Sequence, residues 1–258
     1  MRRLPLVLLT AAGCAAGPAA ARAHDAPSAA RFLATDGTDG RLSARPGAID
    51  ATVDQRGVFP LGIGDGRDGR ILVPKGYTPG KPAPLVVLLH GAGASGADII
   101  GAVQKEAEAA GAIVLAPDSR GTTWDVLRGG FGPDVRFIDE SLRQTFARHS
   151  IDRSRIALAG FSDGASYALS LGQANGDLFD AIVAFSPGFS APPRQVGKSR
   201  VFVSHGTDDR VLPIDPCSRT IVPRLQEQGF EVRYLEFDGG HSVPANVAHQ
   251  AVAWWLGR

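Results

Sequence analysis

Short apolar runs recur along the body of the chain, at Leu85–Leu89, Ile113–Ala116, Ile156–Ala159, Ala181–Phe185, Val201–Ser204 and Val232–Phe237. Between most of them lie stretches whose apolar positions return at helical spacing: Ile99–Ala110, Val135–Arg148, Ala165–Gln173, Pro216–Gln228 and Ala245–Leu256. Apolar runs of four to six residues predict strands buried on both faces. Strand alternating with helix predicts an α/β fold, with a mostly parallel central sheet flanked by helices on both faces. A further short strand and turn are predicted in "RILVPKGY", while residues 24–69 have weak periodicity and predict an irregular or strand-like extension.

In such sheets reactive groups gather where the strands end. Four of these runs stop at polar or glycine-rich segments. His90-Gly91-Ala92-Gly93 follows Leu89, and Gly160-Phe161-Ser162-Asp163-Gly164 follows Ala159. "HGTDDRVLP" follows Ser204, and "DGGHS" follows Phe237.

The second segment is G-x-S-x-G between a predicted strand and a predicted helix. A sharp turn there strains the serine and lifts its hydroxyl above the sheet. Close passage of neighbouring chain excludes a Cβ at Gly160 and Gly164. A serine hydroxyl needs a base to act as a nucleophile. Of the histidines, His241 lies in the loop after the last strand, where "GGH" lets the backbone bring the ring over the sheet; His249, in the last helical pattern, is the alternative. His90 and His205 each precede a glycine at a strand end and are expected to brace loops. The base needs a carboxylate to set its tautomer, and Asp208 and Asp209 both stand beyond Val201–Ser204. Backbone donors for a developing oxyanion are expected from the amide of Asp163 and from the loop after Leu89.

Composition bounds the rest. The 258 residues, 44% hydrophobic and 21% charged, suit one catalytic domain over residues 24–258. Net charge is +1 without a long run of one sign, which gives no pointer to a nucleic-acid partner. Arg2 and Arg3 precede the apolar stretch Leu4–Ala16, and Ala21-Arg22-Ala23 has a cleavage-site form, so residues 1–23 are expected to be a secretory signal. Its removal takes three arginines and no acid, moving the charge from +1 to −2. The stretch is too short to span a membrane. The expected location is periplasmic or secreted, with lipid anchoring through Cys14 in "AAGC" as the alternative. Cleavage would leave Cys217 alone, expected as a packed thiol. No metal-ligand cluster stands out, and no cofactor is expected.

These motifs together resemble the serine α/β-hydrolase superfamily, in chain order Ser, Asp, His. The similarity covers about residues 70–256 and is greatest to bacterial secreted esterases of the phospholipase/carboxylesterase and polyhydroxybutyrate-depolymerase-like type. Their H-G-x-x-D-x-x-V/L-P pattern, laid on His205–Pro213, implies Asp209 as the acid and Asp208 as a turn residue. Their H-G-x-G loop matches "LLHGAGASG" and implies the Ala92 amide as the second oxyanion donor. The resemblance implies ester hydrolysis through an acyl-enzyme on Ser162, acting on a small-molecule or oligomeric ester. An amidase, a polyester depolymerase and a binding module on a decayed hydrolase fold remain alternatives. Polyester depolymerases often carry extra cysteines and a polymer-binding domain; only Cys14 and Cys217 occur here, and no such domain is expected from these residues.

Only "SPGFSAPPRQVGKSR" separates the runs ending at Phe185 and starting at Val201, too little for a cap domain. The longest irregular stretch is Pro117–Pro133, and Trp124, Phe131 and Phe189 are candidates to line a substrate pocket. An open, shallow site suited to short acyl esters is expected.

Overall fold

The computed structural model describes residues 37–50, 53–64 and 66–257. The expected signal at residues 1–23, Cys14 with it, lies outside the described residues.

Eight strands form one sheet: β1 (Gly57–Pro60), β2 (Gly69–Val73), β3 (Ala83–Leu89), β4 (Ile113–Pro117), β5 (Ile151–Phe161), β6 (Ala181–Phe185), β7 (Arg200–Gly206) and β8 (Val232–Phe237). Their order is β1-β2-β4-β3-β5-β6-β7-β8. β1 and β2 run antiparallel to their neighbours, and all pairs from β4 to β8 are parallel. Continuous apolar runs suit this sheet because helices cover both faces. In β3, Leu85, Val87 and Leu89 enter one apolar layer while Val86 and Leu88 enter the other. The first layer is closed by α3 (Pro133–Arg148), α4 (Asp163–Gln173) and α5 (Ser218–Glu227); the second by α2 (Gln104–Ala110) and α6 (Ala245–Leu256). Each fully buried leucine or valine contributes about 1.5–3 kcal/mol.

Register places the chemistry. Leu89 pairs with Gly160, Phe161 with Phe185, Phe185 with Ser204, and Gly206 with Phe237. The four glycine-rich or polar segments singled out in the sequence therefore leave the sheet at one end, the carboxyl ends of its parallel strands.

One expected element is corrected. The stretch Ile99–Ala110 is not one helix: α1 (Gly96–Ile99) gives way to a 3-10 turn at Ile100–Ala102, and α2 begins at Gln104. Val103 between them has φ −123°, ψ −2°, outside the helical region. Helical spacing survives the break because Ile99, Ile100, Val103 and Ala107 all pack into the same apolar layer. The segment 186–199 contains no helix or strand, so no cap covers the sheet there.

Candidate active site

The tight turn from β5 into α4 carries Ser162. Its φ of 57° and ψ of −121° put a non-glycine residue in a strained region, which costs about 1–3 kcal/mol. The turn is held by the Ser162 N–H donating to Phe185 O at 2.9 Å, and by the N–H groups of Ala165 and Ser166 donating to Ser162 O. A Cβ on Gly160 would strike the backbone of Gly164, and one on Gly164 would strike the carbonyls of Leu89 and His90. This crowding is why two glycines bracket the serine.

His241 follows β8, and its Nδ1 lies 2.6 Å from Asp209 Oδ2. Facing a carboxylate, Nδ1 carries the hydrogen, which leaves Nε2 as the basic nitrogen. Phe161 packs beside this ring at 4.6 Å between centroids. Asp209 Oδ1 accepts the N–H groups of Val211 and Leu212 at 2.9 Å each. Burial opposes ionisation of Asp209, but the His241 hydrogen bond and the two amides outweigh it and hold the carboxyl below its ordinary range. His205 supports the same carboxylate. Its Nε2 lies 2.7 Å from Leu212 O and 3.2 Å from Asp209 Oδ2, so that nitrogen bears the hydrogen. Its Nδ1 then accepts the Ser218 hydroxyl at 2.6 Å. Burial holds His205 below the usual histidine range, in keeping with a neutral ring.

The loop after β3 is built as closely. The buried His90 ring accepts the Ser119 N–H on Nε2 at 2.9 Å, so its Nδ1 donates to Gly91 O at 2.7 Å. That carbonyl shares a peptide plane with the Ala92 N–H, so His90 fixes the direction of that amide. Asp163 opens α4, where a helix leaves its first N–H groups unpaired. Among the described residues neither the Ala92 nor the Asp163 N–H has a protein acceptor.

Ser162 and His241 line one open cleft of about 380 Å³ with Gly91, Ala92, Ile99 and Phe161, and with Val211, which is 65% exposed at its rim. The sequence gives no signal for Ile99, Phe161 or Val211 as cleft residues, because each reads there as packing or loop. Trp124, Phe131 and Phe189 do not line this cleft, correcting the sequence expectation. Trp124 is fully buried with its indole N–H donated to His90 O at 2.8 Å, and Phe131 packs on Tyr167. Phe189 borders a separate depression beside α5. His249, the alternative base, pairs instead with Glu106 at 2.8 Å between α6 and α2. Cys217 is buried, and burial pushes its thiol up. Among the described residues no group of three or more His, Cys, Asp or Glu side chains is arranged to hold a metal ion, and no helix is long and apolar enough to cross a membrane.

With this sheet order, and a strained serine at the β5–α4 turn, the chain has the α/β-hydrolase fold and is similar to serine esterases. The family model described as Phospholipase/Carboxylesterase matches residues 130–251, which include Ser162, Asp209 and His241. Feruloyl esterase C of Emericella nidulans is 30% identical over 159 residues, 58% of this chain and 58% of that protein. A putative esterase, NocK, of Nocardia uniformis subsp. tsuyamanensis is 28% identical over 229 residues, 82% of this chain and 64% of that protein. The chain thus spans under two thirds of the length of these curated relatives. The crystal structure of esterase PE8 superposes with a TM-score of 0.61 at 26% identity, covering 73% of this chain and 97% of that one. A ferulic acid esterase from Anaeromyces mucronatus shares the fold at a TM-score of 0.59 and 21% identity, covering 82% of this chain and 96% of that one.

Proposed function

We propose that the chain is a serine hydrolase that cleaves carboxylic esters through an acyl-enzyme. The observation that carries this reading is the 2.6 Å bond from His241 to Asp209, with His241 and Ser162 facing one cleft. In this mechanism Ser162 Oγ attacks the ester carbonyl while His241 Nε2 takes its proton. The negative charge formed on the carbonyl oxygen is met by the Ala92 and Asp163 N–H groups, each worth about 3–4 kcal/mol. The Asp209 carboxylate compensates the imidazolium. His241 returns the proton to the leaving alcohol, and water then releases the acid by the same steps in reverse. No cofactor enters the scheme.

Purified protein is expected to hydrolyse p-nitrophenyl acetate and butyrate, with turnover abolished in Ser162→Ala and His241→Ala. Turnover of the matching anilides at a comparable rate would favour an amidase instead. The open cleft suits short acyl groups. Its apolar lining, with feruloyl esterases among the relatives, also supports a flat aromatic acyl group. Comparing methyl ferulate with methyl butyrate separates the two, through the ratio of kcat/KM. Export follows as part of the proposal from Arg2, Arg3 and the apolar stretch Leu4–Ala16. Amino-terminal sequencing of protein recovered outside the cytoplasm is expected to start near His24.

A further inference from the structure

The segment between β4 and α3 reaches both loops that carry the free amides. Thr122 O accepts the Gly93 N–H at 2.6 Å, next to Ala92. Its neighbour Thr123 donates its hydroxyl to Asp163 Oδ2 at 2.6 Å. The segment is itself fastened. Ser119 Oγ donates to Gly121 O at 2.8 Å, and Arg67 donates to Ser119 O at 2.6 Å and to Ala94 O at 2.7 Å. Two consecutive threonines thus tie together the two elements that carry the proposed oxyanion donors.

We infer that Thr123 is a positioning residue of the oxyanion site, acting through the Asp163 side chain. The inference rests on the proposed hydrolase reading. An acid directly after the nucleophile sets a carboxylate beside the place where negative charge develops, and like charges there oppose catalysis. The Asp163 carboxylate is instead turned to the β4–α3 segment, onto the Thr123 hydroxyl. The short bond from Thr123 holds the carboxylate in that withdrawn position and so fixes the peptide that presents the Asp163 N–H. Thr122, by taking the Gly93 N–H, leaves the adjacent Ala92 amide as the donor of that turn. The distance between the two donors is then set by one loop before substrate arrives, the condition under which such donors are most effective.

The test compares wild type, Thr123→Val and Thr123→Ser. The readouts are p-nitrophenyl butyrate kinetics, inhibition by an alkyl boronic acid as a mimic of the tetrahedral intermediate, and thermal melting. Thr123→Val is expected to lose about 10-fold in kcat/KM, mostly in kcat. Boronate affinity should fall by a similar factor with little change in KM, and Thr123→Ser should recover both. If Thr123→Val does not fold, Asp163→Ala, which removes the bond and the opposing charge together, is expected to lose less than Thr123→Val but still several-fold in kcat and boronate affinity through the freed Asp163 peptide, and wild-type values in both would overturn the inference. The inference is overturned if folded Thr123→Val stays within about 2-fold of wild type, if boronate affinity does not move, or if the serine variant is as impaired as the valine. An inactive wild type that binds no boronate overturns the hydrolase reading itself, so the two failures are told apart at the first measurement.

Discussion

At the scale of single residues the site is a set of fixed tautomers. His241 points Nδ1 at a carboxylate, His90 points Nδ1 at a carbonyl, and His205 points Nε2 at two oxygens. In Asp209→Asn, an amide facing His241 Nδ1 can donate to it, moving the ring hydrogen to Nε2 and removing the lone pair that the proposed attack by Ser162 requires. The expected cost in kcat is on the order of 10⁴-fold with KM little changed, measured by steady-state kinetics on a p-nitrophenyl ester. Because its neighbours hold Asp209 below the ordinary range, its contribution to stability is present above the unfolded carboxyl value and is lost only as pH falls through its own lower one. The Asp209 carboxylate facing His241 therefore stays ionised until the pH falls below the ordinary carboxyl range. Strand ends and glycines mark Ser162 and His241 as candidates in the chain, whereas Asp209 is separated from Asp208 only by the resemblance. Arg67 and Thr123 could not be read from the chain. Arg67 lies in a stretch without periodicity, and Thr123 acts through a bond to a residue forty positions away.

At the scale of elements the β5–α4 turn works because backbone passes where side chains would stand. Gly164→Ala drives a Cβ into the carbonyls of Leu89 and His90, while Gly101→Ala, in the 3-10 turn, meets nothing within 4 Å. Gly164→Ala is expected to be insoluble or destabilised by more than about 3 kcal/mol, and Gly101→Ala to melt within a degree or two of wild type; parallel thermal denaturation checks both. Strand ends were legible because apolar runs stop abruptly at polar residues. The break at Val103 was not, because burial at positions 99, 103 and 107 keeps helical spacing through it. Trp124 shows a related difficulty: a large aromatic in a long loop near the site reads as a pocket wall. Its fully buried indole, donated to His90 O, instead makes it a support for the loop behind the cleft.

At the scale of the molecule two buried groups give stability an opposed pH dependence. Burial, with Arg148 and Arg56 nearby, lowers His149 to about 4, and its Nδ1 has no partner among the described residues. The folded state stays neutral there while the unfolded chain takes up a proton, so stability falls as pH drops from about 6.5 toward 4, by about 2–3 kcal/mol in all. Burial, with Asp125 nearby, raises Asp134 to about 6, although the amides of Arg120 and Asp125 favour its charged form. Its penalty is full above about 6 and is relieved as pH falls toward the unfolded carboxyl value. Between pH 7 and 4.5, His149→Phe is therefore expected to lose less Tm than wild type, and Asp134→Asn to lose more. Calorimetry at the two pH values checks both, and equal shifts in all three proteins would contradict the assignment. The alternation that defines the sheet was legible throughout its parallel part. β1 was not, since its edge position leaves Gly57–Pro60 half exposed with no apolar run to mark it.

The central claim is that one serine, held in a strained turn, is the nucleophile. The most direct measurement is the intact mass of the protein after exposure to a fluorophosphonate. The expected result is one added phosphonyl group, located by peptide mapping on Ser162, absent in Ser162→Ala and formed far more slowly in His241→Ala. An unmodified wild-type protein, or a label on another residue that persists in Ser162→Ala, would contradict it.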